Sequence, residues 1–267
     1  MNILQALGLG VLQGITEFLP VSSSGHLVLA QRLFGIQESQ LFFDVAVHAG
    51  TLMALFLVFR LDLLRMFEGL RAFFSGPRPS PETRIAVKMA WMIVVGSIPA
   101  AAIGLSSRDV FEFLFRSPVI VGLGLWTTAL ILTWSRWSRQ HRKHLETPGF
   151  VQALLIGVVQ GGALIPGVSR SGTTIAVGLI LGLRPDLAFR FSFLLSIPAI
   201  LGALGLELLQ GCRCYLGWHV VAAGFFSAFL VGWAALRLLL ATVRRGKLFA
   251  FAPYCFIVGG LAFLFAR

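Results

Sequence analysis

Charge is scarce in this chain, and its scarcity decides the class. Only 12% of the 267 residues are Asp, Glu, Lys or Arg, against about 25% in an ordinary soluble domain. A soluble fold of this size would lack the polar surface to cover its core, so that class is excluded. Acids are scarcer than bases, 11 against 22, yet the excess positive charge forms no continuous basic face. Arg136, Arg139, Arg142 and Lys143, and again Arg244, Arg245 and Lys247, sit in short clusters between apolar runs. That is the pattern of cytoplasmic loops and of contact with anionic headgroups, so nucleic acid is excluded as a partner. Cysteine is rare as well. Cys212, Cys214 and Cys255 make no metal-ligand spacing, and a pair separated by one residue is poor geometry for a disulfide. They read as small apolar fillers. The N-terminus has no basic n-region and no small-residue cleavage site. Its first apolar stretch, Ile3 to Leu19, interrupted by Gln13, Thr16 and Glu17, reads as part of the mature protein.

What is present in abundance is apolar length. Hydrophobic residues make up 57% of the chain and the mean hydropathy is +0.86. Six stretches are long enough to span a bilayer, which takes about 20 residues: 42–59, 86–106, 118–135, 190–208, 217–239 and 249–266. Two further apolar regions, 3–33 and 150–183, are interrupted near their middles, by Pro20-Val-Ser-Ser-Ser-Gly25 and by Pro166-Gly-Val-Ser-Arg-Ser-Gly172. Each reads as a helix, a break and a second helix, that is, a re-entrant hairpin. Broken backbone at membrane depth leaves N–H and C=O groups without helical partners. It is tolerated only inside protein or beside a water-filled cavity, which marks the two breaks as the working part.

The broken regions also resemble each other. Gly10-Val-Leu-Gln-Gly14 lines up with Gly157-Val-Val-Gln-Gly161, and Ser22-Ser-Ser-Gly25 with Ser169-Arg-Ser-Gly172. Loop charge fits a matching topology. The basic segments 60–85 (Arg60, Arg65, Arg71, Arg78, Arg84), 136–147, 183–190 (Arg184, Arg190) and 244–247 fall inside. The mixed segment 107–117 (Arg108, Asp109, Glu112, Arg116) and the loop near 209–217 fall outside. The expected fold is therefore an all-α polytopic membrane protein with an inverted-topology repeat, 1–147 and 148–267. Each half has one re-entrant helical hairpin and three transmembrane helices. Inverted repeats bring their broken helices together near the midplane, with the first hairpin entering from outside and the second from the cytoplasm.

The first break holds Gln13, Glu17, Ser22, Ser23, Ser24, Gly25 and His26. Gln13 and Glu17 share a helical face, and a carboxylate inside a membrane segment is a functional candidate by default. The hydroxyls open the next helix, whose N-terminal N–H groups form a natural anion site. The second break supplies Ser169, Arg170, Ser171, Gly172, Thr173 and Thr174, with Arg170 offering a planar fork of donors suited to phosphate. Blander readings exist for each: Ser and Thr as helix caps, His26 as a structural partner, and Glu17 as nothing more than the counter-ion of Arg170. Asp44 and His48, spaced i, i+4, either support the site from behind or are interfacial. Asp186 and Glu207 read as interfacial.

These residues resemble a known family. Gln13-Gly-Ile-Thr-Glu17 running into Pro20-Val-Ser-Ser-Ser-Gly-His26, with Pro166-Gly-Val-Ser-Arg-Ser-Gly172 later, is similar to the bacitracin-resistance undecaprenyl-diphosphate phosphatases, and the resemblance covers essentially the whole chain. That family's first motif has Glu or Gln, three residues, then Glu. Here the variable position is Gln13, which leaves Glu17 the only carboxylate of the motif and weakens a two-carboxylate metal arrangement.

The resemblance implies hydrolysis of undecaprenyl diphosphate to the monophosphate and inorganic phosphate. This recycles the lipid carrier of peptidoglycan synthesis and confers resistance to bacitracin. It implies a multi-pass protein of the bacterial inner membrane, a site facing the periplasm, and help from a divalent cation, Mg²⁺ or Ca²⁺. The expected partners are the bilayer and a polyprenyl diphosphate lipid, with a homodimer as a further candidate. In this reading Glu17, Ser23, His26 and Arg170 are catalytic. Gln13, Ser22, Ser24, Gly25, Ser169, Ser171, Gly172, Thr173 and Thr174 bind substrate. Ser23 or His26 is the nucleophile, Glu17 or His26 the base, and Glu17 alternatively a metal ligand. The competing expectation is a transporter or flippase for a lipid phosphate or other anion, since broken helices in inverted repeats are also a transporter architecture.

Overall fold

A computed structural model describes residues 1–36, 41–75, 80–114, 117–136, 145, 147–209 and 216–263. Arg78, Arg116, Arg139, Arg142, Lys143, Cys212 and Cys214 lie outside the described residues, as do the side chains of Arg108, Asp109 and Glu112. Among the described residues the regular structure is helical. The helices are α1 (Ile3–Phe18), α2 (Ser23–Leu33), α3 (Leu41–Ser75), α4 (Pro81–Ser106), α5 (Arg108–Leu114), α6 (Pro118–Trp134), α7 (Phe150–Gly162), α8 (Arg170–Ile180), α9 (Pro185–Leu209), α10 (Trp218–Arg244) and α11 (Ala252–Ala262). A 3₁₀ turn at Leu248–Phe251 leads into α11. Four helices (α3, α4, α9 and α10) are long and apolar enough to cross a membrane, while α1, α6 and α7 are shorter apolar helices. Leu4, Trp91, Ile98, Leu130, Phe226 and Ile257 are exposed over the outer surface, as expected of a polytopic membrane protein, whose solvent is lipid.

Several expected boundaries move. Helix α3 does not stop at 59 but runs on through Arg60, Arg65 and Arg71 to Ser75, so most of the expected 60–85 loop is helix. The apolar pattern ends where lipid would end, but Leu, Arg, Met and Glu remain good helix formers in water. Helix α9 likewise starts at Pro185, a residue preorganised for the first helical position, and not at 190. The expected outer loop 107–117 contains α5.

The basic segments gather at one end. Arg190 of α9 pairs with Asp62 of α3, and Arg244 of α10 with Asp186 of α9. Lys88 donates to Thr147 (2.9 Å), the Leu145 N–H donates to Gly182 O (2.8 Å), and Arg136 lies over the Phe249 ring. From Asp62 back to Leu41, α3 climbs 21 residues, about 30 Å at 1.5 Å per residue, which matches the hydrocarbon thickness of a bilayer.

The two broken hairpins enter from opposite ends. In the first, Gln5 near the start of α1 donates to Phe34 O at the end of α2 (3.3 Å), and Gln31 of α2 donates to Asp44 in the first turn of α3 (2.8 Å). That hairpin begins and ends away from the basic end. In the second, Leu145 just before α7 meets Gly182 just after α8 at the basic end.

Partners are exchanged in the same way. Helix α1 packs on α10, where a Cβ on Gly10 would lie 2.0 Å from Ser227 Oγ and one on Gly14 2.8 Å from Ala228 O. Helix α7 packs on α4, where a Cβ on Gly157 would lie 2.1 Å from Gly96 O and one on Gly161 2.6 Å from Ile103 Cδ1. Close approach at small residues is how helices associate when lipid removes the hydrophobic drive.

A methyl group therefore separates close from open positions on α7. Gly157→Ala is expected to lower the thermal midpoint of the detergent-solubilised protein, by the equivalent of about 1–3 kcal/mol for overpacking. Gly162→Ala, whose Cβ would meet nothing within 4 Å, is expected to leave the midpoint unchanged or slightly raised.

Candidate active site

Helix α1 ends at Phe18 because Leu19 turns extended ahead of Pro20. The chain restarts at Ser23 after Ser22, which holds φ 69°. A non-glycine residue there costs about 1–3 kcal/mol and persists only where its surroundings impose it. Three carbonyls at this break are claimed by protein. Leu19 O accepts from Val21 N–H (2.7 Å) and from Ser171 Oγ (3.4 Å), Pro20 O from Cys255 Sγ (3.2 Å), and Ser22 O from His26 Nδ1–H (2.8 Å).

The second break is held the same way from α6. Thr128 Oγ1 accepts from Ser169 N–H (2.9 Å), and its one proton is shared between Gly124 O of its own helix (3.1 Å) and Gly167 O (3.2 Å). Gly167 has φ 87°, and a Cβ there would lie 2.1 Å from Val121 O, so the position demands glycine on both grounds.

The breaks interlock. A Cβ on Gly172 would lie 2.9 Å from Pro20 Cβ, and one on Gly25 3.6 Å from Gly167 Cα. At the junction lies Glu17, 8% exposed. Arg170 Nη2 donates to its Oε1. Ser23 Oγ (2.6 Å) and Gln13 Nε2 (3.0 Å) donate to its Oε2, and His48 Nε2 stands 3.9 Å from the same oxygen. In the alignment of the two broken regions Ser23 and Arg170 are equivalent, each the first residue of its helix. One carboxylate thus receives the corresponding residue of both breaks.

The remaining candidates divide. Ser23 and Ser24 are partly exposed, Ser22 is buried, and Ser22 Oγ lies 3.4 Å from Ser24 Oγ. No side chain caps α2, so its first N–H groups and the positive end of its dipole face the site, a ready anion cradle. Helix α8 differs, because Ser169 Oγ caps Gly172 N–H (3.1 Å). Its hydroxyls serve the fold of the break. Thr173 donates to Ser169 O and Thr174 to Arg170 O, both at 2.7 Å, and Ser171 lies by Ser169 and Leu19 O. From α8 the side chain that reaches the carboxylate is that of Arg170. His26 is turned away from Glu17: its Nδ1–H donates to Ser22 O and its Nε2 accepts from Tyr254 O–H (2.7 Å).

A divalent cation finds few donors. Among the described residues no three His, Cys, Asp or Glu side chains gather as metal ligands, and both oxygens of Glu17 are occupied. One buried acceptor beside Glu17 has no hydrogen-bond partner, Gln13 Oε1. That set fits a cation held by one carboxylate, an amide oxygen and the substrate's own phosphates, the usual mode for Mg²⁺. It does not fit a cage of protein ligands.

A sequence profile of the bacitracin resistance protein BacA matches residues 6–261. The chain belongs to that family. Proteins named undecaprenyl-diphosphatase are similar along their whole length. That of Desulfosudis oleivorans is 47% identical over 98% of this chain and 97% of its own, and that of Desulforapulum autotrophicum 47% over 97% and 96%. An archaeal counterpart from Korarchaeum cryptofilum is 41% identical over 97% of each chain.

Within this family member, reading the sequence alone overlooked Thr128 and Tyr254. Thr128 carried no signal, since a threonine in a span more often bonds its own helix. Tyr254 carried one: the chain has 24 phenylalanines and two tyrosines, and a hydroxyl in a greasy span needs a partner. Thr128 yields a direct test. Thr128→Val leaves a buried N–H and a buried C=O unpaired, each worth about 1–3 kcal/mol, and is expected to lower the melting midpoint in detergent clearly. Thr128→Ser, which keeps the hydroxyl, is expected to lower it far less.

Proposed function

We propose that the chain hydrolyses undecaprenyl diphosphate to undecaprenyl phosphate and inorganic phosphate, recycling the lipid carrier of cell-wall synthesis and conferring bacitracin resistance. The observation that carries this reading is the bond from Ser23 Oγ to Glu17 Oε2, at 2.6 Å, with Arg170 of the other break on the second oxygen. A hydroxyl is too weakly acidic to attack phosphorus unaided and needs an adjacent base. The names of the relatives point to the same diphosphate.

The diphosphate docks on the uncapped α2 N-terminus, Ser24 and the Arg170 fork, which matches phosphate oxygens. As Arg170 turns to the substrate, Glu17 is released to take the Ser23 proton. Ser23 Oγ bonds the terminal phosphorus, and the bond from that phosphorus to the bridging oxygen breaks. The lipid monophosphate leaves with the electron pair of that bond. Water then attacks the phosphoseryl group, its proton passes by way of Glu17 to Ser23 Oγ, and inorganic phosphate departs. His26, with both ring nitrogens engaged, is neither base nor nucleophile in this scheme. Glu17 and Gln13 Oε1 would hold a divalent cation together with the diphosphate, and its chemistry there would be further neutralisation of phosphate charge.

Access from the periplasmic face of the inner membrane is supported by depth. His48 lies seven residues into α3, about 10 Å from the end opposite the basic segments. Phe18, Phe59, Phe189 and Phe193, all buried and in ring contact, fill the space towards Asp62 and Arg190. The opposite entry of the two hairpins and the exchange of partners, α1 with α10 and α7 with α4, support reading 1–147 and 148–267 as inverted repeats.

Purified protein in detergent is expected to release phosphate from undecaprenyl diphosphate, and chelator to suppress the release. Ser23→Ala is expected to lower turnover by at least ~10²-fold. Glu17→Ala and Arg170→Ala each strand a buried charge and are expected to lose about 3–5 kcal/mol of stability as well as activity. The double variant is expected to recover stability, by melting temperature, but no turnover. Near-normal turnover in Ser23→Ala or in the double variant would sink this reading.

A further inference from the structure

The hydrogen bond between His26 and Tyr254 joins residues 228 apart in sequence. It is one of two bonds by which α11 grips the first break, the other being Cys255 Sγ to Pro20 O one residue along. Helix α11 is itself tied to α6, where Trp126 Nε1–H donates to Phe256 O (3.0 Å) and a Cβ on Gly259 would lie 2.5 Å from the Trp126 ring. The grip on His26 is directional. The two rings are close to parallel, 9° apart with centroids 5.7 Å apart. A carbonyl oxygen can only accept, so the bond to Ser22 O requires the proton on His26 Nδ1. The remaining lone pair on Nε2 then receives the tyrosine hydroxyl, and the ring has no further tautomeric or rotational choice.

The carbonyl that His26 holds is chemically special. Ser22 O belongs to the peptide that carries Ser23 N–H, at the one non-glycine residue with positive φ among those described. Fixing that carbonyl fixes the peptide plane, and with it the first N–H of the α2 anion cradle and the start of the Ser23 side chain. Ser23 Oγ in turn meets Glu17 at 2.6 Å. A continuous line therefore runs from the α11 hydroxyl through an imidazole and a strained peptide to the oxygen that attacks.

We propose that Tyr254 is a positioning residue for the phosphatase reaction: it fixes the ring plane of His26, which holds the Ser22–Ser23 peptide so that Ser23 stays aligned with Glu17. The proposal rests on the phosphatase reading, but its first consequence is independent of turnover. In wild-type protein labelled with ¹⁵N-histidine, His26 is expected to show a protonated Nδ1 and a hydrogen-bonded, unprotonated Nε2. In Tyr254→Phe, where Nε2 has lost its donor while Nδ1–H keeps Ser22 O, the Nε2 signal is expected to shift towards that of a free, unprotonated nitrogen.

In the turnover assay Tyr254→Phe is expected to lower kcat by about 10- to 100-fold, the scale of misplacing a reacting group by about an ångström, with KM within about twofold. The melting temperature in detergent should stay near wild type, since a single hydroxyl is lost. Because both residues act on the same peptide, Tyr254→Phe in a His26→Ala background is expected to add no further loss of kcat. An unchanged Nε2 signal in Tyr254→Phe, a wild-type kcat, or a full multiplicative loss in the double variant each overturns the proposal. A shifted Nε2 signal in protein that releases no phosphate from any substrate would keep the positioning geometry and overturn the phosphatase reading instead.

Discussion

A backbone that stops being helical inside a bilayer exposes N–H and C=O groups that lipid cannot satisfy, and a set of side chains from across the fold answers that one requirement. Cys255, Ser171, His26 and Thr128 are spread over four helices, yet each donates to a carbonyl released by one of the two breaks. The interlocked tips follow from this. Two irregular segments that must be covered by protein are covered most completely by each other, at Gly172 against Pro20 and Gly25 against Gly167. Once they meet, the groups at the tips lie in a region of low dielectric, where each hydrogen bond and charge counts for more than in water.

The same setting explains why so few charges do the work. Isolated Glu17 or Arg170 at this depth would be expensive, by several kcal/mol or more. Together they are tolerable, and the additional donors Ser23 and Gln13 supply what a bare ion pair lacks. The pair is also reversible in a way that a metal cage or an apolar core is not. A phosphate that takes Arg170 leaves Glu17 beside a hydroxyl, so the resting contact is itself the device that holds the site ready. Towards the basic end the packing changes character completely, from hydroxyls to the rings of Phe18, Phe59, Phe189 and Phe193, which admit neither water nor anion.

Much of this was legible in the sequence. The breaks announced themselves as Pro, Gly and Ser inside apolar runs, and Glu17, Ser23 and Arg170 stood out as chemistry placed where regular backbone is given up. Loop charge foretold that residues around 60, 147, 184 and 244 meet at one end, because the membrane sorts basic residues by side. Less legible was anything depending on which helix lies behind a break. Thr128 and Tyr254 sit in ordinary spans, and only the fold shows that the hydroxyl of one faces Gly167 and that of the other His26. The extent of α3 was misjudged for a related reason: hydropathy reports where lipid stops, whereas Arg60 to Ser75 stay helical through backbone bonds that are indifferent to it. Thr173 and Thr174, expected to bind substrate, each donate to a carbonyl at the start of their own helix, a partner the sequence does not reveal.

The two supports are also crossed. The break of the first hairpin is secured by α11, the last helix among the described residues, and the break of the second by α6, from the first half. During synthesis the first hairpin thus emerges roughly 230 residues before the side chains that complete it. Until α11 is inserted, Pro20 O and the imidazole of His26 lack their distant partners, and α6 waits for Gly167. The site is complete only once α11 has arrived, so a chain released before that point leaves the first break without two of its partners.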